Sequence, residues 1–455
     1  MSRSPAYQAA PPAFNARFRD VRPSAIVSCA SPQDAGETIS FARRHGLELA
    51  TRAGGHSFAA HASTRGLLVD VTPVRSVTVA GGVATVGAGA RLGEVYEALQ
   101  DHDLTIPGGT CPPVGIAGLT LGGGLGILGR KYGVTSDRLV EAEVVLADGR
   151  FLRCDDGHEA DLFWALRGAG AGNFGVVTTL VFRAVPAPQA TTNLHLAWPS
   201  AHAGAVIGAW QRWAPTGPDE LAASLKITAG DDPDRPPAVD VYGAFHGSQA
   251  DAARLVEELV GRVGADPTVA ALTPMTWPQT RKFWAELGDP GQESGGPSIP
   301  QPSQGQCLYA KSEFFAHPIP AEAIGALLDA FVEGRASGES RELDFMPWGA
   351  AYNRRPPDAT AFVHRDQLFQ LKHAVVLHPD APPGNQAAAH AAATRSWASV
   401  HPWGSGRVFQ NFADPDLEHW AEAYYGPNYA RLVRVKARYD PSNLFHFQQS
   451  LPPRP

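Results

Sequence analysis

The chain has 455 residues, enough for two or three domains and for a core that needs no covalent staples. Charged residues are only 18% against a usual ~25%, and hydrophobic ones reach 44%, which excludes a disordered or polyelectrolyte chain. A net charge of -7 with no basic block gives no footing for nucleic acid as a partner. No apolar run reaches the ~18 residues that span a bilayer, so no membrane partner is expected. The first twenty residues lack the apolar stretch of a signal peptide, and the expected address is cytoplasmic. Cys29, Cys111, Cys154 and Cys307 lie far apart with no CxxC pair, so neither a zinc ribbon nor a redox dithiol is indicated. The histidines show no metal-ligand spacing, and no metal site is expected.

Residues 1–18 read as a Pro/Ala tail. AIVSC (25–29) is a short apolar strand, and Ser31-Pro32 open a helix that runs to His45 and stops at Gly46. LELATR (47–52) and LLVDV (67–71) are strands around a glycine-containing turn. SVTVAGGVATVGAG (76–89) alternates about Gly81-Gly82, a hairpin signal. An amphipathic helix at 90–103, a second hairpin turning at Asp148-Gly149 and the strand GVVTTLVFRAV (175–185) complete this part. Pro186 and Pro188 mark a boundary. From about 190 to 405, strands such as LKITA, VDVYGAFHG and CLYAKSEFF alternate with helices at 250–263, 320–334 and 386–400. This reads as an antiparallel sheet with helices on one face, interrupted by Pro/Gly loops at 231–237 and 288–305. A last helix, 419–440, is interrupted at Pro427. Intermixed strands, helices and hairpins give an α+β class.

Two segments point to chemistry. In Arg52-Ala53-Gly54-Gly55-His56-Ser57, paired glycines bare the backbone N–H groups, so a phosphate can be cradled with the histidine held against its carrier. Taken alone, the same residues also read as an ordinary Gly-Gly turn with a solvated histidine. The second segment, GGTCPPVGIAGLTLGGGLGILG, holds nine glycines between 108 and 129, too many for a packed helix or strand. It reads as a backbone surface laid against a large planar ligand with a diphosphate. Gly124–Gly129 matches GxGxxG, with Glu143 at roughly the distance of a ribose-binding acid. More glycine than strand precedes it, so a Rossmann site is the weaker reading.

The pair RAGGHS and GGTCPPVGIAGLTLGGGLG, followed by RKYGVTSDRL, DLFWALRGAGAGNFGVVT and the closing YYGPNYARLVRVKARYDPSNLFHFQQSLPP, resembles the FAD-linked oxidases of the berberine bridge enzyme type, in the vanillyl-alcohol oxidase superfamily. The resemblance covers about residues 19–188 and the last fifty, and is weaker between them. It implies a PCMH-type two-lobed FAD-binding domain at 19–188, a substrate domain at 189–405 and a C-terminal segment at 406–455 that returns to the FAD domain. It implies FAD attached through His56 to the flavin 8α carbon and through Cys111 to C6. Further cofactor contacts implied are Arg52, Ala53, Gly54, Gly55, Ser57, Gly115, Gly118, Leu119, Gly122, Gly123, Gly124, Gly175, Val177, Asn443 and Phe445. The stretch 172–177 is expected near the adenosine. Val114, three residues after the cysteine, looks like the oxygen-reactive form. The implied reaction passes a hydride from an alcohol, sugar or secondary metabolite to flavin N5. Molecular oxygen reoxidises the flavin and yields hydrogen peroxide.

One part of the pattern is missing. Where many members carry Y-x-N-Y with a base-forming tyrosine, this chain has Phe409-Gln410-Asn411-Phe412, which offers no phenol. The strand that supplies an acid in some members carries Gln370, Lys372 and His373; alternation puts His373 with Leu371 on one face and Gln370 with Lys372 on the other. His373 is the first candidate for a base. Tyr309 is the second, Gln370 belongs to the same catalytic set, and Tyr352 and Asp344 are weaker. Trp277, Trp284 and Trp348 are candidates to line a pocket. Rival readings are a flavin-dependent oxidative cyclase or dehydrogenase of natural-product metabolism with another base, a nicotinamide-linked reductase with non-covalent FAD, and a non-catalytic flavin-binding protein.

Overall fold

The computed structural model describes Tyr7 and residues 12–287 and 305–454. Most of the N-terminal tail and nearly all of the Pro/Gly loop at 288–305 lie outside the described residues.

Strand β1 (Ala25–Ser28) leads into α1 (Pro32–His45), whose capping box pairs the Ser31 side chain with Asp34 N and the Asp34 carboxylate with Ser31 N. Gly46, at φ +59°, ends the helix in the left-handed region. β2 (Leu49–Arg52) and β3 (Leu67–Asp70) pair in parallel with β1 in the order β1-β3-β2. β4 (Val77–Ala80) and β5 (Val83–Gly87) form the hairpin expected about Gly81-Gly82, and α2 (Leu92–Gln100) buries Leu92, Val95 and Leu99 beneath it. After β6 (Leu104–Thr105), the glycine-rich stretch yields only two short helices, α3 (Ile116–Leu121) and α4 (Gly129–Tyr132). β7 (Leu139–Val145) and β8 (Phe151–Cys154) form the second hairpin. After α5 (Ala160–Leu166), β9 (Val176–Arg183) closes an antiparallel sheet of order β4-β5-β9-β7-β8, and β10 (Val185–Pro186) pairs with β6.

The rest of the chain builds one large antiparallel sheet. Its strands are β11 (Thr191–Trp198), β12 (Leu221–Ala229), β13 (Ala238–Phe245), β14 (Val269–Met275), β15 (Cys307–Phe315), β16 (Glu339–Pro347) and β17 (Phe369–Leu377), in the order β14-β11-β13-β12-β16-β17-β15. Period-2 alternation gives it two different faces. Leu194, Leu225, Leu343 and Leu371 point into a core shared with α6 (Ala203–Trp213), α7 (Gln249–Val263) and α9 (Ala321–Val332). α10 (Pro383–Ala398) covers β15 and β17 on that same face. The opposite face carries Asp240, Lys226, Asp344 and Lys372 side by side, as the register of β13, β12, β16 and β17 requires. α8 (Trp277–Leu287) crosses the far end of this polar face. The chain ends with α11 (Trp420–Tyr425) and α12 (Tyr429–Tyr439), separated by a turn at Gly426–Asn428 where Pro427 breaks the helix. Among the described residues, no helix is long and apolar enough to cross a membrane.

Candidate active site

A cavity of about 820 Å³ lies between the two glycine-rich segments and the polar face of the large sheet. The segments meet backbone to backbone. A Cβ on Gly54 would lie 2.2 Å from Gly115 N, and one on Gly115 would lie 2.4 Å from Gly54 N, so only glycine fits at either position. That contact puts His56 and Cys111 into one cavity wall. The His56 ring packs against Phe14 at 4.7 Å between centroids. Burial, helped by the nearby Arg91 charge, pulls its pKa down to about 4, so the imidazole is neutral at physiological pH. Burial pushes the Cys111 thiol up; a hydrogen bond with Thr110 and the charges of Lys226 and Lys372 pull against it.

The floor is a buried ionic lattice. Lys226 Nζ lies 3.1 Å from Glu342 Oε2 and 3.5 Å from Asp344 Oδ2, and Lys372 Nζ lies 2.9 Å from Glu342 Oε1 and 3.3 Å from Asp344 Oδ2. Burial alone would raise the Glu342 carboxyl, but the two ammonium groups hold it at about 2. Burial opposes the charge on Lys372, yet Glu342 and Asp344 hold its pKa above the usual lysine value. The floor thus sets two lysines against two carboxylates, the matching of charge that a buried cluster needs to persist. Asp344 Oδ1 has no protein partner. Phe412 lies under Lys372, with Nζ 5.4 Å from its ring centroid, and stacks on Phe58.

The C-terminal segment holds the third wall. Lys436, fully buried, donates to Asp440 Oδ2 (2.7 Å), Asn173 O (2.7 Å) and Phe445 O (2.6 Å), while Leu451 N donates to Asn173 Oδ1 (3.0 Å). Tyr425 Oη donates to Ala169 O at 2.8 Å. These bonds fix the loop 169–175 against the cavity. Arg130 of α4 ties the part of the chain before Pro186 to the part that carries the large sheet, the two lobes of the molecule. Its guanidinium donates to the carbonyls of Leu221 (2.8 Å), Pro215 (2.8 Å), Gly217 (2.7 Å), Pro218 (3.4 Å) and Trp348.

Of the residues expected at the cofactor, Arg52, Ala53, Gly54, Gly55, His56, Ser57, Cys111, Val114, Gly115, Gly118, Leu119, Gly175 and Val177 all line this cavity. Gly122, Gly123 and Gly124 do not. They are packed against Asn411, Phe362 and Thr135, where a Cβ would approach within 2.5 Å. Asn443 and Phe445 also lie off the cavity: Asn443 sits in a left-handed turn and Phe445 in the core, while Phe447 and Gln449 of the same tail line the wall. Expecting His373 at the chemistry is corrected. Its Nδ1 lies 2.8 Å from Ser396 Oγ of α10, and burial drives its pKa to about 3, so it belongs to the helix-covered face. Tyr309 is corrected likewise; it packs with Ala389 and Ala393 of α10 beneath the Arg17 guanidinium. Gln370 shares the face of Lys372 and is fully buried with both amide atoms unpartnered, but it does not reach the cavity wall. Tyr352 lines the wall and donates to Gly126 O at 3.1 Å. Trp284 and Trp348 line the cavity and Trp277 does not. Gly124–Gly129 is no Rossmann turn, since a Cβ on Gly126 would lie 1.7 Å from Gly108 O and the helix that follows has four residues. Lys226 and Tyr242, both in the wall, escaped the sequence reading. The signal for Lys226 was a lone lysine alternating with Leu225 and Ile227 in an apolar strand.

Residues 23–155 match the FAD binding domain family, and residues 408–452 match the berberine and berberine-like family. The FAD-linked oxidoreductase YvdP of Bacillus subtilis is 31% identical over 96% of this chain and 94% of its own length. Berberine bridge enzyme-like 1 of Arabidopsis thaliana is 30% identical over 97% of this chain and 86% of its own. Glucooligosaccharide oxidase from Acremonium strictum, in a structure described as carrying a 6-S-cysteinyl, 8α-N1-histidyl FAD, superposes with a TM-score of 0.87 at 25% identity, covering 100% of this chain and 96% of that one. The chain belongs to the berberine bridge enzyme-like family of FAD-linked oxidoreductases.

Proposed function

We propose that the chain is a flavoprotein oxidase that holds FAD covalently through His56 at the 8α carbon and Cys111 at C6, and that oxidises a hydroxyl-bearing small molecule, a sugar or an alcohol. The observation that carries this reading is the joint placement of His56 and Cys111 in one cavity wall, on two loops that touch through Gly54 and Gly115. Residues 19–188 and 406–455 would hold the cofactor, and 189–405 the substrate.

The cavity fits the group. Its volume of about 820 Å³ lies in the upper part of the ~300–1,000 Å³ range of ligand sites. A Cβ on Gly118 would meet nothing within 4 Å, and His61 Nε2, buried in the wall, has no protein partner. When bound, FAD accepts a hydride from a substrate carbon and passes the electrons to dioxygen, which leaves as hydrogen peroxide. The protein's own contribution is orientation and charge. Neutral His56 keeps a lone pair available for the 8α link, and the charges of Lys226 and Lys372 offset part of the burial that raises the Cys111 thiol. On the floor, Lys226 and Lys372 can donate to substrate hydroxyls, and Asp344 Oδ1 can accept from one. A charge-balanced floor favours a neutral polyhydroxylated substrate over a carboxylate. The sugar oxidase among the structural neighbours supports the same class.

The test is the spectrum and mass of purified, denatured protein. Retained yellow colour with one added FAD, lost one link at a time in His56→Ala and Cys111→Ala, supports the reading. A colourless pellet at the mass of the bare chain refutes it.

A further inference from the structure

Four tyrosines line the cavity: Tyr242, Tyr352, Tyr424 and Tyr425. Three have their hydroxyl protons placed on neutral acceptors: Tyr352 on Gly126 O (3.1 Å), Tyr424 on Gln449 Oε1 (3.3 Å) and Tyr425 on Ala169 O (2.8 Å). A phenol whose proton sits on an amide oxygen has nowhere to send it. Tyr242 differs. It stands on β13, two residues from Asp240 on the same face, and the Asp240 carboxylate is the charged group that acts on its hydroxyl. The Tyr242 ring lies parallel to that of His195, 4.6 Å away at 4°, because the two residues are direct cross-strand partners on β13 and β11. His195 Nε2 donates to Asp240 Oδ1 at 2.9 Å. Phenol, carboxylate and imidazole thus cluster on one face of the sheet, covered by Phe283 and Trp284 of α8. Trp284 is itself tied to the sheet through Asn193 Oδ1 at 3.0 Å. Burial, then the Asp240 charge, keep the Tyr242 phenol protonated well above the usual tyrosine range.

Other groups on the floor serve this purpose less well. Asp344 shares Oδ2 between two ammonium groups, so a proton there would unbalance the lattice. Phe409 and Phe412 have no hydroxyl.

Resting on the oxidase reading above, we propose that Tyr242 is the catalytic residue that takes the substrate's hydroxyl proton, relaying its own proton to Asp240, with His195 as the positioning residue behind them. The balance is simple. As the carbon gives up its hydride, the substrate O–H breaks and its proton goes to Tyr242 Oη. The phenolic proton passes to the Asp240 carboxylate, which becomes neutral. The substrate leaves as a carbonyl, and Tyr242 ends as the phenol it began as. His195 holds Asp240 in place.

The experiment is anaerobic stopped-flow bleaching of the holoenzyme by a panel of glucose, xylobiose, chitobiose and an aromatic alcohol. For whichever compound bleaches the wild type, Tyr242→Phe should keep its bound FAD and lose about 10²-fold or more in the flavin reduction rate constant. Asp240→Asn, which leaves the phenol in place, should lose comparably. His195→Asn should lose less and alter the pH profile of reduction, a change that a purely structural role would not give. Wild-type reduction rates in both Tyr242→Phe and Asp240→Asn would overturn the proposal. Failure of every compound to bleach the wild type would overturn the oxidase reading, and this inference with it.

Discussion

Replacing Gly54 by alanine tests the contact that aligns the two attachment residues. The added methyl would sit 2.2 Å from Gly115 N, 2.5 Å from Gly115 Cα and 3.3 Å from the Val114 carbonyl carbon. Apolar contacts are comfortable at ~3.5–4.0 Å, so the loops must part by more than about 1 Å. None of these atoms belongs to a side chain that could rotate away. Gly115 is held on its other side: Ile116 N donates to Ala90 O (3.0 Å), Leu92 N donates to Val114 O (2.9 Å), and Gly115 bridges to Arg91. The strain therefore falls on the spacing between His56 and Cys111. A displacement of ~1 Å in a positioned reaction costs ~10²-fold. Gly54→Ala is expected to fold, because the clash lies at the cavity rim, but to carry one link in place of two. Absorbance and mass of the denatured protein read this directly, and a Cys111-containing peptide without flavin should dominate the digest. Gly118→Ala is the control for the loops: its Cβ meets no protein atom within 4 Å, so any flavin loss there reports intrusion into the cavity and not loop displacement. Complete double attachment in Gly54→Ala would refute the reasoning.

Two further outcomes follow from buried charge. Lys436→Met leaves the Asp440 carboxylate fully buried without its cation, which should cost about 3–5 kcal/mol and free the 169–175 loop. A lower urea midpoint together with weaker FAD retention is expected, and an unchanged midpoint would contradict the assignment. Acid should destabilise the chain in a defined window. Burial holds His364 and His373 at about 3, so the unfolded chain binds protons first as pH falls below its own value near 6.5. Their contribution is complete above that value and drains toward acid, by about 3 kcal/mol each on reaching pH 4. Urea midpoints measured at pH 7, 5.5 and 4 should fall steeply, and His373→Gln should flatten the slope; midpoints independent of pH over this range would count against it.

The two glycine-rich loops were legible in the sequence because glycine is itself the signal. Gly54 and Gly115 make room for each other's backbone, so the composition marks a contact even though its two halves lie far apart in the chain. The capping box of α1 and the two hairpin turns were legible for another reason, because their constraints are local. The substrate side was hidden because its meaning depends on register. Every residue of β17 is buried, so burial does not distinguish the helix face from the cavity face, and His373 looked as eligible as Lys372. Only the pairing of β12, β16 and β17 shows that Lys226, Asp344 and Lys372 form one row, with Lys226 drawn from more than a hundred residues before the other two. Tyr242 was invisible for the same reason, since its partner His195 lies across a strand boundary. In the C-terminal tail, Asn443 and Phe445 serve the turn and the core, whereas Phe447 and Gln449 reach the wall, a difference that depends on the path of the tail and not on residue type.

Arg130 has a consequence for how the protein fails. Pulling the lobes apart would strip a buried guanidinium of five carbonyl acceptors at once, and no carboxylate is paired with it to soften the loss. Sliding or hinging between the lobes meets the same obstacle, because the acceptors come from two separate segments, 215–221 and 348. The molecule has little access to a half-open state with one lobe intact. Heat and denaturant should therefore take it down in a single cooperative transition.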